Sequence, residues 1–488
     1  MTQTAPQAAC PFRQVIGDGW GLDQVDESAG AAFPLMPLGQ AVDMGSSPDG
    51  TPLIDPRIFD SAEFRRNPYP YWRILRDHYP VYHDKLHNRY LVTRYEDITA
   101  CYLAEAEFNT IPKGGSSGVL GNTQLELSGI EHRRRRNVFG RHLVGMALDR
   151  RVPSIDRLAR EMVAAWSDPS TPGVEFDPSS GRVSIELGRA FANEFPIRVV
   201  CQVLGFPDEA RDAFFYWYKS MMSGLFGSET RQQGLEARQD LEDYVETLVA
   251  ERRRQPAYLY DDDGKVIGKD IISELCETRV DGDLLSTEEI TSNIALVVGG
   301  GGETTRGAIL NMWYLLLQHP DQFAAVMADP GLWDCVFHET LRHSSSIGGQ
   351  PRHNSFDIEM HGVRIPAGSL MEMVDFSANH DERIFADPER FDIFRTDLYT
   401  GKLIRSGYDK DGRHSHMAFG VGPHLCPGAW ISHQESVIGS RILSPHLATA
   451  RIDSDRMPKD IDGVSLAPVA NGSIPELWLT VDQADLGT

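Results

Sequence analysis

The run Phe419-Gly420-Val421-Gly422-Pro423-His424-Leu425-Cys426-Pro427-Gly428 constrains this 488-residue chain more than any other stretch. It sets one cysteine in a loop with three glycines, opens on an aromatic ring and leads into a helix-like segment. Glycines permit positive φ and leave no side chain between the backbone and a bound group. Backbone N–H groups can therefore approach the Cys426 sulfur, as the surroundings of a metal-bound thiolate require. A lone cysteine is more often a small buried hydrophobe. His414, His416, His424 and Cys426 also supply the ligand types of a zinc site, although a His-x-His-x7-His-x-Cys spacing leaves the glycines unexplained. A dinucleotide loop is excluded, because Leu425 stands where its third glycine belongs.

A hydrophobic content of 41% suits one large domain or a few small ones. The net charge of −23 argues against nucleic-acid binding. Six scattered cysteines without a Cys-x-x-Cys pair fit a reducing compartment, so the cytoplasm is expected. No stretch approaches the roughly 18 apolar residues of a membrane span, and Met1 to Ala9 lack signal-peptide character, so no membrane anchor is expected.

Residues 1–55, rich in Gly, Pro, Ala and Ser, read as an irregular arm, with a single catalytic domain over 56–488. Helical spacing is expected over Tyr71 to His78, Ile155 to Trp166, Leu235 to Arg253 and Trp333 to Arg342, and after Gly428. Arg89 to Arg94 reads as a strand, 258–270 as an exposed hairpin, and Ile365-Pro366-Ala367-Gly368 as a turn among short strands. The fold class is mainly α with a smaller β portion (α+β).

Three further motifs carry chemistry. Four glycines interrupt an apolar helix at Gly299-Gly300-Gly301-Gly302-Glu303-Thr304, each costing about 1 kcal/mol against alanine. No Gly-Lys-Ser/Thr follows, so this is not a P-loop. Glu339 and Arg342 share one helix face; the neighbouring His338-Glu339 lacks the second histidine of a zinc protease, since position 342 is Arg. His132 and Arg136 share a face within the basic run Glu131-His132-Arg133-Arg134-Arg135-Arg136, which otherwise reads as a solvated or phosphate-binding patch.

The cysteine loop resembles the haem-binding signature Phe-Gly-x-Gly-x-His-x-Cys-x-Gly of the cytochrome P-450 family, matching every fixed position. Glu-x-x-Arg at Glu339 and Arg342, Phe385-Ala386-Asp387-Pro388-Glu389-Arg390-Phe391, the glycine run and the His-x-x-x-Arg pair follow the family's order over about 55–485. The resemblance implies haem b (iron protoporphyrin IX) between a long distal helix and a proximal loop, with Cys426 as axial ligand. It places Gly301, Phe419 and Gly428 against the haem, and His132, Arg136, Arg352 and His424 on its propionates. Glu303 and Thr304 become an acid–alcohol pair relaying protons. Glu339, Arg342 and Arg390 become a buried triad that supports the loop.

The implied activity is hydroxylation or oxidative dealkylation of an apolar small molecule by O₂. Two electrons would come from a separate ferredoxin and an NAD(P)H-dependent ferredoxin reductase. A peroxide-driven peroxygenase and a non-catalytic haem sensor are the alternatives. Phe214, Trp217 and Met222, in an aromatic and Met-rich stretch with Phe215, Met221, Leu225 and Phe226, together with Val297, Val298 and Ile347, are expected to line the substrate pocket. The chain departs from the pattern in three places. Ser345 and Ser346 stand where a proline is usual, Ser432-His433 where an arginine is common, and 396–415 is an extra segment. Its Lys402, Arg405, Lys410 and Arg413 would suit ferredoxin docking, as would an outward-facing Arg133 and Arg134.

Overall fold

Apolar residues at three-and-four spacing become helix close to where the periodicity runs. In a computed structural model describing residues 45–47, 50–110, 117–120, 123–226, 229–260, 264–398, 414–460, 463–468 and 472–487, the expected runs form helices Tyr69–His78, Val152–Ala164, Arg231–Arg254, Trp333–His343 and Ala429–Leu443. Of the anticipated N-terminal arm only 45–47 and 50–55 fall among the described residues, joined by a bridge between Ser46 and Pro52. Lys402, Arg405, Lys410 and Arg413 lie outside them.

The helices that position the site are labelled α1 (Tyr95–Leu103), α2 (Gly129–Gly140), α3 (Phe195–Leu204), α4 (Arg211–Phe226), α5 (Arg231–Arg254), α6 (Thr287–Gly301), α7 (Glu303–Gln318), α8 (Trp333–His343) and α9 (Ala429–Leu443). Local chemistry fixes several ends. Ser286 accepts from the Glu289 N–H while the Glu289 carboxylate accepts from the Ser286 N–H, a capping box that starts α6. Gly205, at φ 91°, ends α3 in the left-handed conformation. Helices α4 and α5 cross where Gly224 meets Gly234, and a Cβ on Gly224 would lie 2.6 Å from the Gly234 Cα.

The β portion forms two main sheets. One runs Val81–Asp84, Arg89–Val92, Leu370–Met373, Gln350–Asn354, Phe108–Asn109; its single parallel pair joins Arg89–Val92 to Leu370–Met373. The other runs Arg451–Ile452, Trp478–Asp482, Arg182–Glu186, Val174–Asp177, all antiparallel. The 258–270 segment is a hairpin pairing Tyr258–Tyr260 with Val266–Lys269. The largest core cluster fills the helical part and holds the fully buried Trp166, Trp313 and Trp333. A second, containing Tyr95, Tyr102, Met373 and Phe385, lies between the first sheet and the cysteine loop. Among the described residues no helix is long and apolar enough to cross a membrane.

Candidate haem-thiolate site

The cysteine loop is shaped by its own backbone. The Gly420 N–H donates to Met417 O (2.7 Å), Leu425 N–H to Gly422 O (3.1 Å) and Cys426 N–H to Phe419 O (2.8 Å). Gly420 and Gly422 take φ of 65° and 74°, the conformation that motivates glycine there. A Cβ on Gly422 would also press to 3.1 Å against Tyr102 O at the end of α1. Gly428 is different: its φ is −82°, and an added Cβ would lie 3.7 Å from the Cys426 sulfur. Burial pushes the Cys426 thiol up, while the N–H groups of Gly428 and Ala429 and the Arg136 guanidinium act in the opposite direction. The sulfur sits deep in the protein, yet Cys426 keeps accessible surface.

The zinc alternative fails on geometry. His416 Nε2 meets His338 Nδ1 at 3.2 Å, His414 packs edge-on against Tyr95, and His424 turns to Glu105. The histidines thus serve separate partners and do not converge on Cys426.

Beside the loop, His132 and His424 stack with ring centroids 3.8 Å apart. Both approach one oxygen of Glu105, at 3.5 and 3.1 Å, and the Gly129 N–H donates to the same oxygen at 2.8 Å. These three side chains are close enough to share a metal ion. The surrounding charge argues for an anion instead, because Arg133 lies 3.5 Å from Glu105 and Arg136 and Arg352 act on both rings. Arg136 also donates to Leu425 O, and the buried Arg352 guanidinium lies 4.8 Å from the Tyr102 ring. The cluster suits carboxylates in a largely apolar setting. Glu105 was missed from sequence because nothing in its local pattern distinguishes it from a surface acid.

On the distal side the helix breaks between α6 and α7 at Gly302. The four glycines face four ways. An added Cβ would meet Leu120 at 3.0 Å from Gly299, Val200 at 2.8 Å from Gly301, and both Ile197 and Tyr218 from Gly302; from Gly300 it would meet nothing within 4 Å. At Gly301, expected against the haem, the direction of an added Cβ is filled by Val200, whereas Gly300 opens onto free space, since a residue one step on points about 100° away. Thr304, one turn after Gly300, donates its hydroxyl to Gly300 O at 2.8 Å. Glu303 turns toward Arg306, whose Nη1 donates to it at 2.8 Å. The departures fit around this break. Ser346 Oγ donates to Thr304 O at 2.9 Å, and Thr305 Oγ1 donates to Ser432 Oγ at 3.1 Å, tying α7 to α9.

Two other expectations shift. Glu339 and Arg342 form a two-bond pair at 2.7 and 2.8 Å, each side chain at most 1% exposed. The third member is Arg395, 3.0 Å from Glu339, rather than Arg390. Arg390 points outward toward Asp392 and contributes only its carbonyl, which accepts from Arg342. Phe214 and Trp217 face helix packing, edge-on to Phe206 and against Tyr244, so bulk and apolarity place them in the core. Val298 is fully buried, whereas Met222 and Val297 retain accessible surface; Met222 lies by Gly299, and Ile347 is 40% exposed. Phe419 packs 6.3 Å from Phe337 and also keeps accessible surface.

These residues fit a haem: a buried thiol approached by N–H groups, a histidine–arginine cradle for two carboxylates, and a distal helix stripped of side chain at Gly300. The family profile described as Cytochrome P450 matches residues 209–329 and 331–445. Pulcherriminic acid synthase of Bacillus subtilis is 27% identical over 401 residues, covering 81% of this chain and 92% of that protein. Vitamin D(3) 25-hydroxylase of Pseudonocardia autotrophica is 28% identical over 428 residues, covering 84% and 96%. The solved structure of cytochrome P450 CYP109Q5 from Chondromyces apiculatus matches with a TM-score of 0.68 at 25% identity, covering 86% and 96%. The chain belongs to the cytochrome P450 family and is a haem-thiolate monooxygenase with haem b as its cofactor.

Proposed function

We propose that the protein hydroxylates, or oxidatively dealkylates, an apolar small molecule in the cytoplasm. A separate ferredoxin and its NAD(P)H-dependent reductase supply two electrons. In this reading Cys426 ligates the iron, and His132, Arg136, Arg352 and His424 hold the propionates. When bound, haem supplies the iron that activates O₂, with a thiolate ligand that favours O–O cleavage. Gly300 leaves room beside the helix, and the Thr304 hydroxyl, whose single proton is donated to Gly300 O, relays by releasing that bond to pass its proton on and taking up another in its place. Glu303 resupplies that proton, and Arg306 orients its carboxylate. Arg133, 55% exposed on α2, offers positive charge to an acidic donor, whereas Arg134 is engaged by Glu131 and Asp281.

The observation that supports this reading most is the conjunction of Gly300 and Thr304 on one helix face, beside a broken helix, with a buried thiol in the glycine loop. A haem sensor has no need of such a groove, and a peroxygenase has no need of the acid–alcohol pair. Vitamin D₃, named for one relative, and dodecanoic acid are suitable first probes of apolar specificity. With ferredoxin, reductase and NAD(P)H, Thr304→Ala should keep consuming electrons while product per NAD(P)H falls at least fivefold. Parental coupling in that variant would remove the proton-relay role. Full turnover by peroxide alone, equal to that with the electron-transfer partners, would favour the peroxygenase reading.

A further inference from the structure

The fourth glycine of the run, Gly302, has a structural counterpart on another helix. A Cβ at Gly302 would lie 2.5 Å from Tyr218 Cζ and 2.7 Å from Tyr218 Cε2. Those separations are far inside van der Waals contact, so no side chain fits there while α4 is seated. The Tyr218 ring occupies the notch where α6 ends and α7 begins, and the residue is 2% exposed. Its hydroxyl donates to Glu303 Oε2 at 3.4 Å, while Arg306 Nη1 donates to Glu303 Oε1 at 2.8 Å. Arg306 is itself fixed by Asn193 Oδ1 at 2.6 Å and by Pro475 O. The Glu303 carboxylate is thus held from two sides, by a guanidinium on its own helix and by a phenol on α4. Burial, and next the Glu303 charge, keep the phenol protonated and able to donate.

We propose that Tyr218 is a positioning residue for Glu303: it supplies from α4 the side chain that the distal helix lacks at Gly302, and seating of α4 sets the proton-relaying acid in place. The inference rests on the Glu303–Thr304 relay and adds to it the residue that orients the acid. It also accounts for the glycine run: Gly300 leaves open space, Gly299 and Gly301 admit Leu120 and Val200, and Gly302 admits the tyrosine together with Ile197 of α3. A hydroxyl at 3.4 Å is a long hydrogen bond whose effect is on orientation more than on strength. Its loss should therefore alter proton delivery without unfolding the helix.

Tyr218→Phe retains the ring in the notch and removes only the donor. In the resting holoprotein, the Glu303 carboxylate infrared band, assigned by its loss in Glu303→Gln, should shift in Tyr218→Phe. During turnover with ferredoxin, reductase, NAD(P)H and O₂ and no added substrate, electrons leave as hydrogen peroxide or as water. The share reaching water should fall at least twofold in Tyr218→Phe and in Glu303→Gln, and the double variant should be no lower than Glu303→Gln alone. Gly302→Ala, which displaces the ring without changing it, should act in the same direction. An unmoved band together with a parental share in Tyr218→Phe would overturn the assignment to Tyr218 alone. Independent, additive losses would do the same, because Tyr218 would then not act through Glu303. A parental share in Glu303→Gln would overturn the relay itself and this inference with it.

Discussion

At the scale of single residues, the same amino acid does different work according to its surroundings. Cys426 is a thiol pressed toward protonation by burial and drawn the other way by two N–H groups and a guanidinium. Glycine shows the same dependence. Gly420 and Gly422 answer a backbone requirement, whereas Gly300 answers a spatial one. Gly300→Val should therefore leave the fold nearly intact, since helix propensity favours valine over glycine by about 0.3 kcal/mol and the added Cβ meets nothing within 4 Å. It should weaken the spin-state response to vitamin D₃ or dodecanoic acid at least tenfold, because the methyls enter the open space. Optical titration checks the second outcome and thermal unfolding the first. The residue type was legible in the sequence. Which of four adjacent glycines faces the open space was not, because that depends on the helix's rotation against α3 and α4.

At the scale of elements, the buried charge network decides where the loop sits. Glu339 accepts two hydrogen bonds from Arg342 and one from the Asp392 N–H, and Arg395 approaches within 3.0 Å. Arg342 also donates to Asn379 O and Pro388 O, so one guanidinium ties α8 both to the end of the short helix Asp375–Asn379 and to the irregular segment at Pro388. Removing one member of such a network leaves uncompensated charge and costs about 3–5 kcal/mol. Arg395→Ala should therefore destabilise the protein by several kcal/mol, while Arg390→Ala, on an exposed side chain, should stay within about 0.5 kcal/mol. Chemical denaturation of the two variants gives the comparison; equal losses would reverse the assignment. The Glu-x-x-Arg pair was legible because helical geometry sets i,i+3 neighbours on one face. Its third partner was not. Arg390 and Arg395 are five residues apart in an irregular segment, and only the path of that turn decides which points inward.

At the scale of the whole molecule, burial couples stability to pH. His343 and His416 are pushed down to about 3, mainly by burial and secondarily by Arg342, and His338 and His380 are also lowered by burial. Unfolded, each would titrate near its ordinary value of about 6.5. Between about pH 6.5 and 3 the unfolded chain binds more protons, so stability falls as pH falls through that window. Asp375 acts oppositely: burial raises it to about 8 despite the Tyr102 hydrogen bond, so its contribution declines as pH rises from about 4 to 8. Burial also raises Glu435 and Glu186, which act in the same sense as Asp375; the four histidines outweigh these three carboxyls below about pH 6.5, so the thermal midpoint should drop between pH 6.5 and 5. A flat midpoint across that range, measured by calorimetry, would contradict neutral buried histidines.

By itself the sequence determined the local facts: helical runs through their periodicity, the cysteine loop through glycines required at positive φ, and the Glu-x-x-Arg face through helix geometry. Tertiary structure alone decided direction and partnership. It chose Arg395 over Arg390 and Gly300 over Gly301, sent Phe214 and Trp217 into the core, and brought Glu105 to two histidines and Tyr218 to Glu303. The physical reason is range. Periodicity and turn chemistry act over a few residues, whereas Tyr218 and Glu303 are 85 residues apart and meet only because packed helices allow one relative orientation.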